Sequence, residues 1–307
     1  MERHSCQEGQ THSSKFSIVI PTLNEGDLLR MTIESVLEQT AYPDFEIIIV
    51  DDGSTDGSTE DYRCRAYKDL RLKVVDGGGL GVAKARNRGA ELAHGELVVF
   101  LDAHCTVSPD WLTRFAAALN APDAGLVSPT FTRLQETQPR GCGLTWIDKR
   151  LDTAWFEPLD TDEVYEVPLN IGACQAFRTS TFFAMGKYEE GFNSWGSEDL
   201  EICVRAWLLG YRVLADPVAT VAHYFREERN YEVDDFDVTY NVLRMLHLHF
   251  SAPRIRKIIR QFKDIPDLTK ALDCLYQSDI FEVRARLVAQ QKRTDDWFCE
   301  TFSPALA

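Results

Sequence analysis

The sequence holds no two cysteines at CxxC spacing, although eight cysteines are scattered through its 307 residues. That distribution argues against a disulfide framework and fits reduced thiols in a cytoplasmic enzyme. No stretch is apolar for long enough to span a bilayer as a helix. Met1 to Ser14 contains no apolar run, so it does not read as a signal peptide, and residues 1–15 are expected to form a disordered tail. Basic residues are also in short supply. Lys and Arg number 33 against 48 Asp and Glu, a formal net charge of -15. That balance argues against a nucleic-acid surface. No glycine-rich, lysine-bearing phosphate loop follows the first apolar run, which disfavours a nucleotidyltransferase. The run Gly77–Gly81 matches a dinucleotide fingerprint only in part, because Lys84 stands where its last glycine or alanine would be.

What is present is enough apolar material for a substantial core, 44% of the chain. Phe16–Ile20 reads as a strand halted by Pro21. The segment Asn24–Asp27 is placed to cap a helix from Leu28 to about Gln39, whose apolar positions Leu28, Leu29, Ile33, Val36 and Leu37 fit helical spacing. Phe45–Val50 is a second buried strand ending in Asp51 and Asp52. Strand, helix and strand with short links form a βαβ unit, and ligands of such sheets bind at the carboxyl ends of the strands. The spacing therefore predicts an α/β fold with a Rossmann-like, mostly parallel sheet flanked by helices. The glycine run is read as letting the backbone approach a phosphate or sugar. The helix after it carries Lys84, Arg86 and Arg88, of which Arg88 suits a solvated face.

Val98-Val99-Phe100-Leu101 reads as a strand buried on both faces, running into Asp102-Ala103-His104. In an extended chain Asp102 and His104 point the same way, and a carboxylate with an imidazole suits a divalent metal. The same residues also fit a polar strand end turning into a loop before Ser108, the expected N-cap of the next helix. Farther on, Trp195-Gly196-Ser197-Glu198-Asp199 precedes a helix that Ser197 is expected to cap. Acids in a first helical turn complement the helix dipole. Together with Trp195 and a permissive Gly196, Glu198 and Asp199 also suit a polyol acceptor. His223 closes a last strand, Val218–Ala222. The segment 230–307 reads as a helical extension. Within it Arg254–Lys263 is basic and amphipathic, fitting a solvated helix packed on the main domain or, less well, a weak peripheral membrane contact. His247 and His249 face different directions on a helix and are not read as ligands.

Together these residues resemble family 2 glycosyltransferases of GT-A fold. The marks are Ser17–Glu25, Val50–Asp56, Ala85–Ala90 and Glu198-Asp199, and the resemblance covers about Phe16 to Glu228, giving a domain over 16–229. Leu101–Cys105, Trp195–Glu201 and Val221–Arg226 are most similar to polypeptide N-acetylgalactosaminyltransferases. The resemblance implies a UDP-sugar donor (UDP-GalNAc, UDP-GlcNAc or a similar hexose) and a manganese ion or other divalent metal on Asp102, His104 and His223. It implies Pro21, Thr22, Glu25, Asp52, Gly81, Arg86 and Asp102 around the nucleotide-sugar, with Asp52 on uracil. It implies Trp195, Gly196 and Glu198 on a peptide or glycan acceptor. Those polypeptide transferases carry Asn where this chain has Asp199, and they retain anomeric configuration. Inverting relatives have the Asp as catalytic base, so inversion is expected here, with a retaining enzyme and a non-catalytic sugar-nucleotide sensor as the alternatives.

Overall fold

A computed structural model describes residues 16–66, 71–226 and 233–307. The expected tail and the boundary at 229/230 lie outside these described residues. The chain begins with β1 (Phe16–Thr22), α1 (Asp27–Gln39), β2 (Phe45–Asp51), α2 (Glu60–Ala66), β3 (Leu72–Asp76), α3 (Val82–Glu91), β4 (Leu97–Leu101), β5 (Cys105–Val107) and α4 (Trp111–Ala118). It continues with β6 (Ala124–Arg133), β7 (Pro139–Gly141), β8 (Leu144–Trp146), β9 (Thr153–Trp155), β10 (Tyr165–Glu166), β11 (Cys174–Arg178), α5 (Thr179–Ala184), α6 (Glu198–Leu208) and β12 (Arg212–His223). Five helices follow, α7 (Asp235–His249), α8 (Ala252–Ile259), α9 (Leu268–Gln277), α10 (Ile280–Val288) and α11 (Asp295–Phe302).

The main sheet has ten strands, with β10-β12-β6-β11-β4-β1-β2-β3 in sequence and β5 and β7 paired at the side. The half built from β4, β1, β2 and β3 is parallel, as the βαβ reading requires. The other half is mixed, because β11 runs antiparallel to both β4 and β6. Apolar residues fill the central strands on both faces because each face has its own cover. Val19, Ile48, Val98 and Phe100 belong to one core, and Ile18, Ile20, Val99 and Leu101 to the other.

The helices after residue 232 are not a separate layer. Leu243, Leu246, Ile258 and Phe298 sit in the same core as Val19 and Trp207. The basic stretch Arg254–Lys263 packs inward through Ile255, Ile258 and Phe262. Arg254 itself is buried on Asp295 and Asp296. No helix among the described residues is long and apolar enough to cross a membrane.

Two local expectations are corrected. Ser108 does not cap α4; its hydroxyl accepts the Thr220 amide, and the helix starts after Asp110. Ser197 precedes α6 in left-handed backbone, with φ 71°, and its side chain does not cap. The Asn24–Asp27 segment does hold the α1 N-cap, at Gly26, whose amide donates to Asp56.

Candidate active site

The site forms where the strand order reverses, between β1 and β4, at the carboxyl ends of the parallel strands. A cavity of about 380 Å³ opens there, within the range of small-ligand sites. Its lining includes Pro21 and Thr22 at the end of β1 and Glu25 after it, Asp52 after β2, Gly81 just before α3 and Arg86 on it, Asp102 and His104 after β4, and Trp195. Gly196, Glu198, Asp199 and His223, also expected at the site, lie outside that lining.

Asp102 and His104 converge, but not as alternate residues of an extended strand. The chain leaves β4 at Leu101 and turns through Ala103 before β5 begins. β5 pairs antiparallel with β12, placing Cys105 opposite His223. The last strand is longer than Val218–Ala222, starting at Arg212 with an irregular register around Asp216–Thr220. The result is a compact donor set: the Nε2 atoms of His104 and His223 lie 3.1 Å apart. Asp102 Oδ2 is 3.9 Å from the first and 3.6 Å from the second.

A carboxylate with two imidazoles fits a transition metal such as Mn2+. Glu25 supports the fit, because its Oε2 lies 3.2 Å from His104 Nδ1. With the Nδ1 proton donated to Glu25, Nε2 carries a free lone pair toward the centre of the group. Arg226 holds the same Glu25 oxygen. Burial raises the Asp102 carboxyl, but His223, Arg86 and His104 outweigh it and hold it below the usual carboxylate range. Burial and the facing His104 pull His223 below the ordinary imidazole value despite Asp102, so it stays neutral and able to ligate.

Arg86 links this group to the acids of α6. Nη2 donates to Asp102 Oδ1 at 2.9 Å and to the Gly172 carbonyl, and Nη1 donates to Glu198 Oε1 at 2.8 Å. Glu198 also accepts the Gly196 amide. Asp199 accepts the amides of Gly172 and Leu200, each at 2.8 Å. Burial and the Glu198 charge push the Asp199 carboxyl up to about 7.

Gly79 and Gly81 of the glycine run line the cavity, and two glycines of the run also pack closely on protein. A Cβ on Gly81 would lie 2.7 Å from the Ser194 carbonyl oxygen, and one on Gly77 would lie 2.8 Å from Asp52. The Asp52 carboxylate accepts the amides of Leu80 and Gly81, both at 2.9 Å, so it also shapes this loop. Arg88 is exposed, as expected.

Two residues on α7 escaped the sequence reading. Asn241, fully buried, exchanges hydrogen bonds with the backbone of Asn193 and donates toward the carbonyls of Trp195 and Gly196. Asp237 accepts from the side chains of Asn193 and Ser194. Together they fasten the loop that carries Trp195. A polar Asn amid the apolar positions of a helix was the available signal.

Comparison with known proteins places this geometry. Polypeptide N-acetylgalactosaminyltransferase 11 of Xenopus tropicalis is 31% identical over 295 residues, covering 84% of this chain and 48% of that protein. Validoxylamine A glucosyltransferase of Streptomyces hygroscopicus subsp. limoneus is 32% identical over 233 residues, covering 67% and 49%. The chain spans about half the length of these relatives. The crystal structure of GalNAc-T7 with UDP, GalNAc and Mn2+ superposes with a TM-score of 0.77 at 22% identity, over 95% of this chain and 57% of that one. S. aureus TarS 1-349 in complex with UDP-GlcNAc gives 0.60 at 18% identity, over 94% and 92%. These likenesses show the GT-A fold. The model of glycosyl transferase family 2 matches residues 17–183. The parallel half-sheet, the cavity at its switch point and that match agree: the chain belongs to glycosyl transferase family 2.

Proposed function

We propose that the chain moves a hexose from a UDP-sugar to a hydroxyl or other nucleophile of a peptide or glycan, depends on a divalent metal, and inverts the anomeric centre. The observation that carries this reading is the convergence of Asp102, His104 and His223 beside the cavity lined by Pro21, Thr22, Glu25 and Asp52. The donor class comes from the ligands of the two structural neighbours. A metal on the three ligands supplies positive charge against the departing diphosphate. Asp52, Pro21 and Thr22 border the uridine end. Arg86 orients Asp102 and Glu198 through its two nitrogens. Glu198 and Trp195 orient the acceptor, and Asp199 takes the proton from its hydroxyl. A carboxyl at about 7 is poised for that transfer near neutral pH.

The retaining alternative draws on one observation: Asp199 stands outside the cavity lining and both its oxygens already accept backbone amides. A panel of UDP-sugars, each incubated with Mn2+ and scored for UDP release, tests class and donor together. The anomeric configuration of the transferred sugar, read by NMR, separates inversion from retention. No UDP release from any donor would favour the sensor.

A further inference from the structure

The buried arginines follow one rule. Arg86, Arg205, Arg244 and Arg254 are each paired with carboxylates. Acids outnumber bases by 48 to 33, so carboxylate partners are plentiful. Arg133, which is exposed, and Arg140, which is half-buried, have no such partner. Neither guanidinium makes a hydrogen bond or ion pair among the described residues, and Arg140 Nε is buried with no acceptor. Both crowd one aromatic ring. The Arg140 guanidinium carbon lies 4.4 Å from the Phe225 ring centre, and that of Arg133 lies 5.8 Å from it. Trp155 flanks the same group, 5.7 Å from Arg140. Burial and the Arg133 charge pull Arg140 below its ordinary value, and exposed Glu136 offsets this only in part.

Two like charges on one ring repel, and a buried N–H without an acceptor is costly. An oxyanion between the two forks would offset the repulsion and accept charge-assisted hydrogen bonds. The position adds a second argument. Arg133 is the register partner of His223 on the neighbouring strand, and the Phe225 ring packs 4.4 Å from the His223 ring. Yet none of Arg133, Arg140, Trp155 and Phe225 lines the donor cavity. The pair therefore stands beside the proposed metal group but outside the donor's space.

We infer that Arg133 and Arg140, braced on Phe225, form a subsite for an oxyanion carried by the acceptor, a phosphate or a carboxylate. The inference rests on the transferase reading for the word acceptor, but the anion site itself does not depend on it.

The test is an NMR titration of the full, metal-free chain with inorganic phosphate and, separately, acetate, at constant ionic strength with chloride as the control. The expected result is a saturable shift of the Arg140 Nε–H resonance for at least one of the two anions and not for chloride. Which anion binds tighter identifies the group. Arg133→Gln, checked for an unchanged amide spectrum, should weaken the binding at least tenfold. A response to both anions no larger than to chloride, or affinity unaltered in Arg133→Gln, would overturn the site. The titration is then repeated with saturating UDP and Mg2+. Phosphate affinity within twofold supports an acceptor subsite, whereas displacement by UDP assigns the pair to the donor diphosphate and overturns that part. Amide shifts of Leu80 and Gly81 report UDP binding independently. Their absence counts against the transferase reading and leaves the anion result standing.

Discussion

His104 and His223 face each other nitrogen to nitrogen at 3.1 Å, although 119 residues separate them in the chain. The antiparallel pairing of β5 with β12 brings them together, and two imidazole lone pairs at that distance repel unless a proton or cation sits between them. Chelation should therefore abolish UDP release, and Mn2+ should restore it better than Mg2+, whose preferred ligands are oxygens. Activity should also fall once acid protonates His223, at a pH below the ordinary imidazole range because its value is lowered by burial. Full turnover in excess EDTA would sink the metal reading.

Glu25 holds His104 of the proposed metal group at 3.2 Å. Removing such a partner costs roughly 10–100-fold in metal affinity. Glu25→Ala should show that loss in a Mn2+ titration followed by electron paramagnetic resonance, with the fold intact by circular dichroism. Unchanged Mn2+ affinity would mean that the 3.2 Å contact does not orient the imidazole.

Arg86 is buried with carboxylates on both sides. Arg86→Met strands Asp102 and Glu198 without their counter-charge and should cost on the order of 3–5 kcal/mol in chemical denaturation. A loss below about 1 kcal/mol would show that the two acids find other partners.

Asp199 gives a prediction in activity and one in stability. Asp199→Asn should lower transfer on the order of a hundredfold or more while UDP affinity stays nearly constant. Wild-type transfer should rise with pH through about 7, as the base ionises. For stability, a carboxyl raised from 3.8 to about 7 on folding contributes fully below 3.8, and that contribution is lost as pH climbs through 7. Wild-type stability should therefore decline across that window relative to Asp199→Asn, whose own pH profile should be flatter. Parallel profiles, or an α-linked product from an α-linked donor, would reject the ionising base.

The sequence carried the parallel half of the fold because its signals are local. Ile18, Ile48 and Val99 sit in continuous apolar runs, and the acids that end β2 and β4 mark the carboxyl edge. Asp102 and His104 were legible for the same reason. His223 was not legible from its own surroundings. A lone histidine after a strand becomes a partner of His104 only through a strand pairing between distant segments, and only the family resemblance pointed to it. The caps at Ser108 and Ser197 failed because each serine followed local preference on paper, while strand pairing with Thr220 and a left-handed backbone claimed them in the fold. Glu201 also stands in the first turn of α6, where an acid needs no special partner. It is in fact fully buried against Arg205 and His249, contacts that periodicity cannot reveal.

The hold of Asn241 and Asp237 on residues 193–196 reaches beyond the site itself. Trp195 is positioned by a helix that does not itself line the cavity, so on the proposed reading changes on α7 can reshape the cavity wall at Ser194 and Trp195 from a distance. In a laboratory evolution experiment, mutations that change which acceptors are used should surface on that distant helix as readily as in the pocket.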